Sequence, residues 1–224
     1  MATIRDKSKK FHKFIKGLNS KYASALPDES QPLLDRFIFY LFFYSNPVTY
    51  AKKASKALTD PKEFASWNEV RVSTVREVTN ILNECKIKPA DFLAPRLLEF
   101  LQKVFEEVDD ARLEVLTERI AAAENAKERK DIIEEAKDII SALPGIPPWG
   151  ATYLMASLGL EKTLPLDPHT DAVLEEQALF GPKDRTVPQK KRVLKALIDG
   201  VDDFSPVAVH HLLVEYAKRD LKRK

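Results

Sequence analysis

At 224 residues, with 44% hydrophobic and 31% charged side chains, the chain can bury a full core, as one large domain or as two packed lobes. A formal net charge of +2, from 36 basic and 34 acidic residues, is a poor signature for nucleic-acid binding unless the charges are unevenly spread. A single cysteine, Cys85, excludes an intramolecular disulfide and a four-cysteine iron–sulfur cluster, and with four histidines there is no zinc-binding pattern. No apolar run approaches a membrane span, Phe37 to Tyr44 being far too short, and the N-terminal residues show no signal-peptide pattern. The expectation is a soluble intracellular protein, cytoplasmic or at the nucleoid, monomeric and without a membrane partner.

Residues 1–29 are basic, with Lys7, Lys9, Lys10, Lys13, Lys16 and Lys21, and are expected to form a helical N-terminal extension. Apolar residues then recur at helical spacing over 33–44, 69–85, 95–107, 111–123, 128–142, 149–159, 168–180, 187–199 and 205–221, with Pro, Asp or Gly near most junctions. Strand signal is almost absent, so the predicted fold class is all-α. The balance is acidic between Glu99 and Asp138 and basic again over Lys183–Lys195 and Lys218–Lys224. The basic stretches read either as a rim for phosphates, with salt-dependent affinity, or as ordinary solvated faces. Residues Glu124–Glu128 read equally well as linker or helix.

The most informative stretch is 143–169. Leu143-Pro144-Gly145-Ile146-Pro147-Pro148 separates two helical runs, and two prolines with a glycine force a short hairpin between them. Gly150, Ala151, Ala156 and Gly159 let the second helix lie close to a neighbour. The backbone N–H groups at its start, at the positive end of the helix dipole, suit a phosphate oxygen. Further on, in Leu164-Pro165-Leu166-Asp167-Pro168-His169, Asp167 reads as an N-cap and Pro168 as the first helical residue. A capping carboxylate accepts backbone N–H bonds and is expected to stay ionised.

LPGIPPWGATYLMASLG followed by PLDPH resembles the helix-hairpin-helix and Gly/Pro-Asp segment of the endonuclease III superfamily of DNA base-excision glycosylases. The family pattern runs LPGVG, a variable position, a helix, and a catalytic aspartate about eighteen residues after that position. Here these positions are Trp149 and Asp167. Phe37 to Leu58 is similar to the family's apolar helix, base-stack-probing loop and following helix, and Val209-His210-His211-Leu212-Leu213 resembles its last helix. The resemblance implies a two-lobed helical bundle with a helix-hairpin-helix motif at the cleft. It spans 30–224, with a middle lobe of about 45–140, the hairpin at 143–149, and the remainder as the second lobe. It also implies double-stranded DNA carrying a damaged base as the partner; the iron–sulfur cluster that many members of that family carry is excluded here by the single cysteine.

On this resemblance Asp167 is the catalytic residue, stabilising positive charge that develops on the deoxyribose and helping to position a water nucleophile. Bifunctional relatives carry a lysine at the position of Trp149; tryptophan cannot form their Schiff base, which implies a monofunctional enzyme. Lys162 is a remote substitute for that amine. Trp149-Gly150-Ala151-Thr152-Tyr153 is similar to a segment of 3-methyladenine glycosylase II, so Trp149 and Tyr153 either line a base pocket favouring an alkylated base or are core aromatics. Gly145, Ile146, Pro147, Gly150 and His169 are implied DNA contacts. Ser45 and Asn46 are candidates for the side chain that fills the gap left by a flipped base, or Asn46-Pro47 simply starts a helix. His210 and His211, adjacent on a helix, point in different directions, which argues against a shared metal; the hairpin carbonyls are a candidate monovalent-cation site. Three departures stand out: Pro147 replaces the second hairpin glycine, Pro148 follows it, and Ala172 stands where many relatives place an arginine. The alternatives are a non-catalytic helix-hairpin-helix module binding DNA or protein and, less favoured, an abasic-site lyase.

Overall fold

The computed structural model describes residues 3–108, 112–181, 183–184 and 186–221. Among these residues every regular element is helical. By contacts the chain divides into two units, Met1–Pro27 with Thr152–Lys224, and Asp28–Ala151. The middle unit thus begins earlier and ends later than the expected 45–140.

The first unit is built on α1 (Ile4–Tyr22), whose N-cap Thr3 forms a capping box with Asp6. Phe11, Ile15, Leu18 and Tyr22, spaced three or four residues apart, bury one stripe of this helix. The stripe packs in one core with α10 (Pro168–Glu176), α11 (Val187–Ile198) and α12 (Pro206–Arg219). Residues 3–27 of the expected 1–29 extension are therefore not appended to the unit, because their apolar stripe supplies a wall of its core. Several of their lysines are also used inside the unit. Lys7 Nζ donates to the Leu179 carbonyl at 2.7 Å and Lys10 Nζ to that of Gln177, satisfying backbone acceptors just beyond α10. Lys16 pairs with Asp203 at 2.8 Å, and Lys21 pairs with Asp220. Lys190, in the second basic stretch, lies 2.5 Å from Asp171 and 3.0 Å from Glu175. Of the expected basic rim, Lys9, Lys13, Lys183, Lys191, Arg192 and Lys195 are exposed, as are the internally bonded Lys10, Lys16 and Lys21. Arg185 and Lys222 to Lys224 lie outside the described residues.

The second unit is organised around α2 (Leu33–Phe43), which buries Phe37, Ile38, Tyr40, Phe42 and Phe43 and is apolar nearly all round. It packs on α3 (Val48–Leu58), while α4 (Trp67–Val72) and α5 (Val75–Glu84) pack on α6 (Ala90–Glu107). The expected helix over 69–85 is two helices. Ser73 turns its hydroxyl to the Val70 carbonyl at 2.6 Å, and Thr74 opens a new helix with a Thr74/Glu77 capping box. The start of the expected 111–123 helix lies outside the described residues, and α7 runs Val115–Ala122. Residues 124–125 connect rather than continue: Asn125 accepts from the Lys127 and Glu128 N–H groups and caps α8 (Ala126–Ala142). After the turn at 143–149 comes α9 (Gly150–Ser157), within which the chain passes from one unit to the other.

Candidate functional site

In the first unit, Asp167 caps α10 as its sequence predicts. Its backbone is extended (φ −110°, ψ 173°), Pro168 occupies the first turn, and Oδ1 accepts the Thr170 N–H at 2.7 Å. The carboxyl is only 2% exposed. Its other oxygen, Oδ2, lies 3.2 Å from His210 Nε2 but accepts no aligned hydrogen bond. On the far side of the ring, His210 Nδ1 lies 3.2 Å from Thr170 Oγ1. Thr170 therefore bears on both members of the pair, through its amide on the carboxyl and its hydroxyl on the imidazole.

Burial dominates the electrostatics. It pushes the Asp167 carboxyl from its ordinary 3.8 up to about 7, against the opposing bonds from Thr170 and His169 and with some help from the Asp171 charge. The expectation that a capping carboxylate stays ionised is thus corrected: the bonds from the Thr170 and His169 backbone and the Thr170 side chain do not offset the loss of solvent. Burial, reinforced by His211 and His169, also holds His210 well below the usual imidazole range, so its ring is neutral.

Tyr153 is fully buried. Its hydroxyl meets His211 Nε2 at 2.8 Å, and His211 Nδ1 lies 3.0 Å from the Ala25 carbonyl. Because a carbonyl only accepts, Nδ1 carries the hydrogen and Nε2 receives the Tyr153 proton. Burial pushes His211 down to about 3, so this bond pair is a neutral core network. Tyr153 accordingly has the core role, not the pocket role. The adjacent His210 and His211 serve different partners, the carboxyl and the tyrosine.

In the second unit, Trp149 is half-buried and its ring lies 5.1 Å from that of Tyr44, centroid to centroid, tilted by 34°. Both line a cavity of about 580 Å³ together with Ser45, Phe92, Arg96 and the turn residues Gly145, Ile146, Pro147 and Pro148. Gly145 has φ +72°, and a Cβ there would stand 2.3 Å from the Arg96 carbonyl oxygen, so only glycine allows this turn to seat on α6. The Gly150 N–H donates to the Pro147 carbonyl at 2.7 Å, and Pro147 and Pro148 have no N–H. Gly145, Ile146 and Pro147 thus serve as a cavity wall, and the Gly150 N–H expected at a phosphate is bonded inside the turn.

Asn46 is 3% exposed; it donates to the carbonyls of Phe42 (3.0 Å) and Lys88 (3.1 Å) and accepts the Lys88 N–H at 2.8 Å. It clasps the turn after α2 to the segment before α6, which corrects its candidacy as a gap-filling probe: every polar atom of the amide is engaged in the fold. Ser45 is exposed at the cavity. His169 is half-buried next to Asp167 and lends it a backbone hydrogen bond. Lys162 is more than half exposed and lies 3.7 Å from Asp199 and 3.9 Å from Asp202. Among the described residues, no group of three His, Cys, Asp or Glu side chains is placed to hold a metal ion. Sequence reasoning did not single out Thr170, Phe92 or Arg96, and it gave His210 no role beside Asp167. Only the position of Thr170, three residues after a capping aspartate, carries a signal that points to its contact.

No family model matches the chain, and no curated protein matches it.

Proposed function

We propose that the protein is a monofunctional DNA glycosylase that hydrolyses the N-glycosidic bond of a damaged base in duplex DNA, with Asp167 as the essential carboxylate. The observation that carries this reading is the setting of Asp167. One oxygen is bonded to the start of α10, the other holds no aligned hydrogen bond, and burial brings the group to about 7, where it exchanges protons at physiological pH. In its ionised form the carboxylate offsets the positive charge that grows on the sugar as the bond breaks, and Oδ2 is the oxygen that orients the attacking water. His210, neutral and 3.2 Å away, acts as a positioning residue that limits where Oδ2 can turn. Trp149 provides no amine, so the reaction ends at an intact abasic site. The turn at 143–149, with α8 and α9, serves as a helix-hairpin-helix element whose contribution to DNA contact is weakened by Pro147 and Pro148.

A second reading, a non-catalytic helix-hairpin-helix module for DNA or protein, is favoured by the 2% exposure of Asp167 and by the internal pairing of Lys7, Lys10, Lys16 and Lys21. Duplexes bearing defined lesions, incubated with and without borohydride, separate the two. The glycosylase reading predicts free base and no trapped protein–DNA adduct. A trapped adduct contradicts the monofunctional assignment, and tight binding without release of any base supports the second reading.

A further inference from the structure

The cavity of the Asp28–Ala151 unit has features that the glycosylase reading alone does not use. Its aromatic lining is lopsided: Tyr44 and Trp149 form a tilted pair, whereas Phe92 is 52% exposed. The Arg96 guanidinium stacks on that exposed ring, its central carbon 3.4 Å from the ring centroid. Arg96 is half-buried, and among the described residues no carboxylate lies within ion-pair range of it. Glu99 lines the same cavity but is exposed, so water screens its charge. A second flat group is the natural cover for an exposed phenyl–guanidinium stack. The backbone fixes the position of Arg96, because the turn glycine Gly145 sits against its carbonyl oxygen.

We propose that this cavity binds a flat, uncharged, carbonyl-bearing nucleobase, and that Arg96 is the residue that selects it over a cationic alkylated base. The choice of a nucleobase rests on the glycosylase reading; the choice among bases rests on the cavity. A guanidinium is permanently charged and offers only donors, so it rewards a ligand that presents acceptor oxygens in its plane. An indole face alone favours a cation by about two- to fivefold at an exposed site. Repulsion between two unit charges about 6 Å apart, at an effective dielectric near 20, corresponds to roughly a hundredfold in affinity and outweighs that preference. The alkylated base implied by the resemblance of the Trp149 segment is therefore disfavoured, and a keto base, such as a deaminated or oxidised purine, is favoured.

Binding can be read without bond cleavage. The chain has two tryptophans, so Trp67→Phe leaves Trp149 as the only indole reporter. Its fluorescence is titrated with inosine, which carries the keto base hypoxanthine, and with 1-methyladenosine, which is cationic at neutral pH. Calorimetry on the unsubstituted chain covers the case in which Trp67→Phe does not fold. Inosine is expected to bind at least tenfold more tightly; Arg96→Met, which keeps the stem and removes the charge, should bring the two within about threefold, and Arg96→Lys, which keeps the charge but loses the planar stack and its in-plane donors, should fall between the two. Equal binding by the unsubstituted protein, an unchanged ratio in Arg96→Met, or no binding of inosine into the millimolar range each overturns the proposal. Selective binding by a protein that releases no base from duplexes removes the catalytic reading and leaves this one standing; base release without selective binding does the reverse.

Discussion

Replacing Asp167 by asparagine should make the protein more stable at alkaline pH while removing its proposed reactive group. The sign follows from linkage. The carboxyl has a folded-state value near 7 against an ordinary value of 3.8, so between those values the folded chain holds a proton that the unfolded chain has lost. Stability from this group is complete below pH 4 and is lost as the pH rises through 7. At 1.36 kcal/mol per pH unit the interval corresponds to roughly 4 kcal/mol, and at 2% exposure solvent does little to reduce it. Asparagine keeps an oxygen for the Thr170 N–H, and its amide can donate towards His210 Nε2, so it removes the cost of the charge without emptying the site. His210 and His211, both held below the imidazole range, drive stability the opposite way as the pH rises towards 6.5, so the informative quantity is the difference between variant and parent. Urea unfolding at pH 4.5, 6, 7.5 and 8.5 should show that difference rising from near zero to a gain of about 2–4 kcal/mol for Asp167→Asn. A variant that is less stable at pH 8.5 than at pH 4.5, relative to the parent, refutes the account of a costly buried carboxyl.

Other substitutions test separate parts of the structure. Tyr153→Phe removes the buried hydroxyl that meets His211 Nε2 and should cost about 1–3 kcal/mol by the same unfolding assay, with little change in any base-release rate at permissive temperature. Gly145→Ala places a Cβ against the Arg96 carbonyl at a positive φ; a loss of at least about 2 kcal/mol is expected, and a neutral result would show that the turn can move off α6. If the proposed function holds, Trp149→Lys introduces the amine with which bifunctional glycosylases form a Schiff base, and borohydride should then trap a DNA adduct that the parent does not form, whereas no adduct would count against a place for Trp149 beside the sugar.

Much of the fold was legible because local rules sufficed. Asp167-Pro168 is a start signal that acts within one turn, and it caps α10 in the structure. The 69–85 run misled because its apolar spacing continues across Ser73 and Thr74, where side-chain bonds to the backbone end one helix and begin another. The basic N-terminus misled in another way: lysine periodicity cannot show that Lys7 and Lys10 reach carbonyls more than 160 residues away. The same limit applies to the candidate site. The capping role of Asp167 is local and was predictable, but its burial and its His210 neighbour depend on chain segments brought together only by folding. Asn46 reads in the sequence as a gap-filling side chain or as the start of a helix with Pro47, and its three bonds to Phe42 and Lys88 become visible only with α2 and α6 in place.

The central claim is that Asp167 breaks a base–sugar bond. Its most direct test is single-turnover release of free base from duplexes carrying deaminated, oxidised or alkylated bases, comparing the parent protein with Asp167→Asn at a pH where both are folded. The account predicts release from at least one lesion by the parent and a loss of at least about a hundredfold in Asp167→Asn, the scale of a removed transition-state charge. Release at an unchanged rate in Asp167→Asn would contradict it.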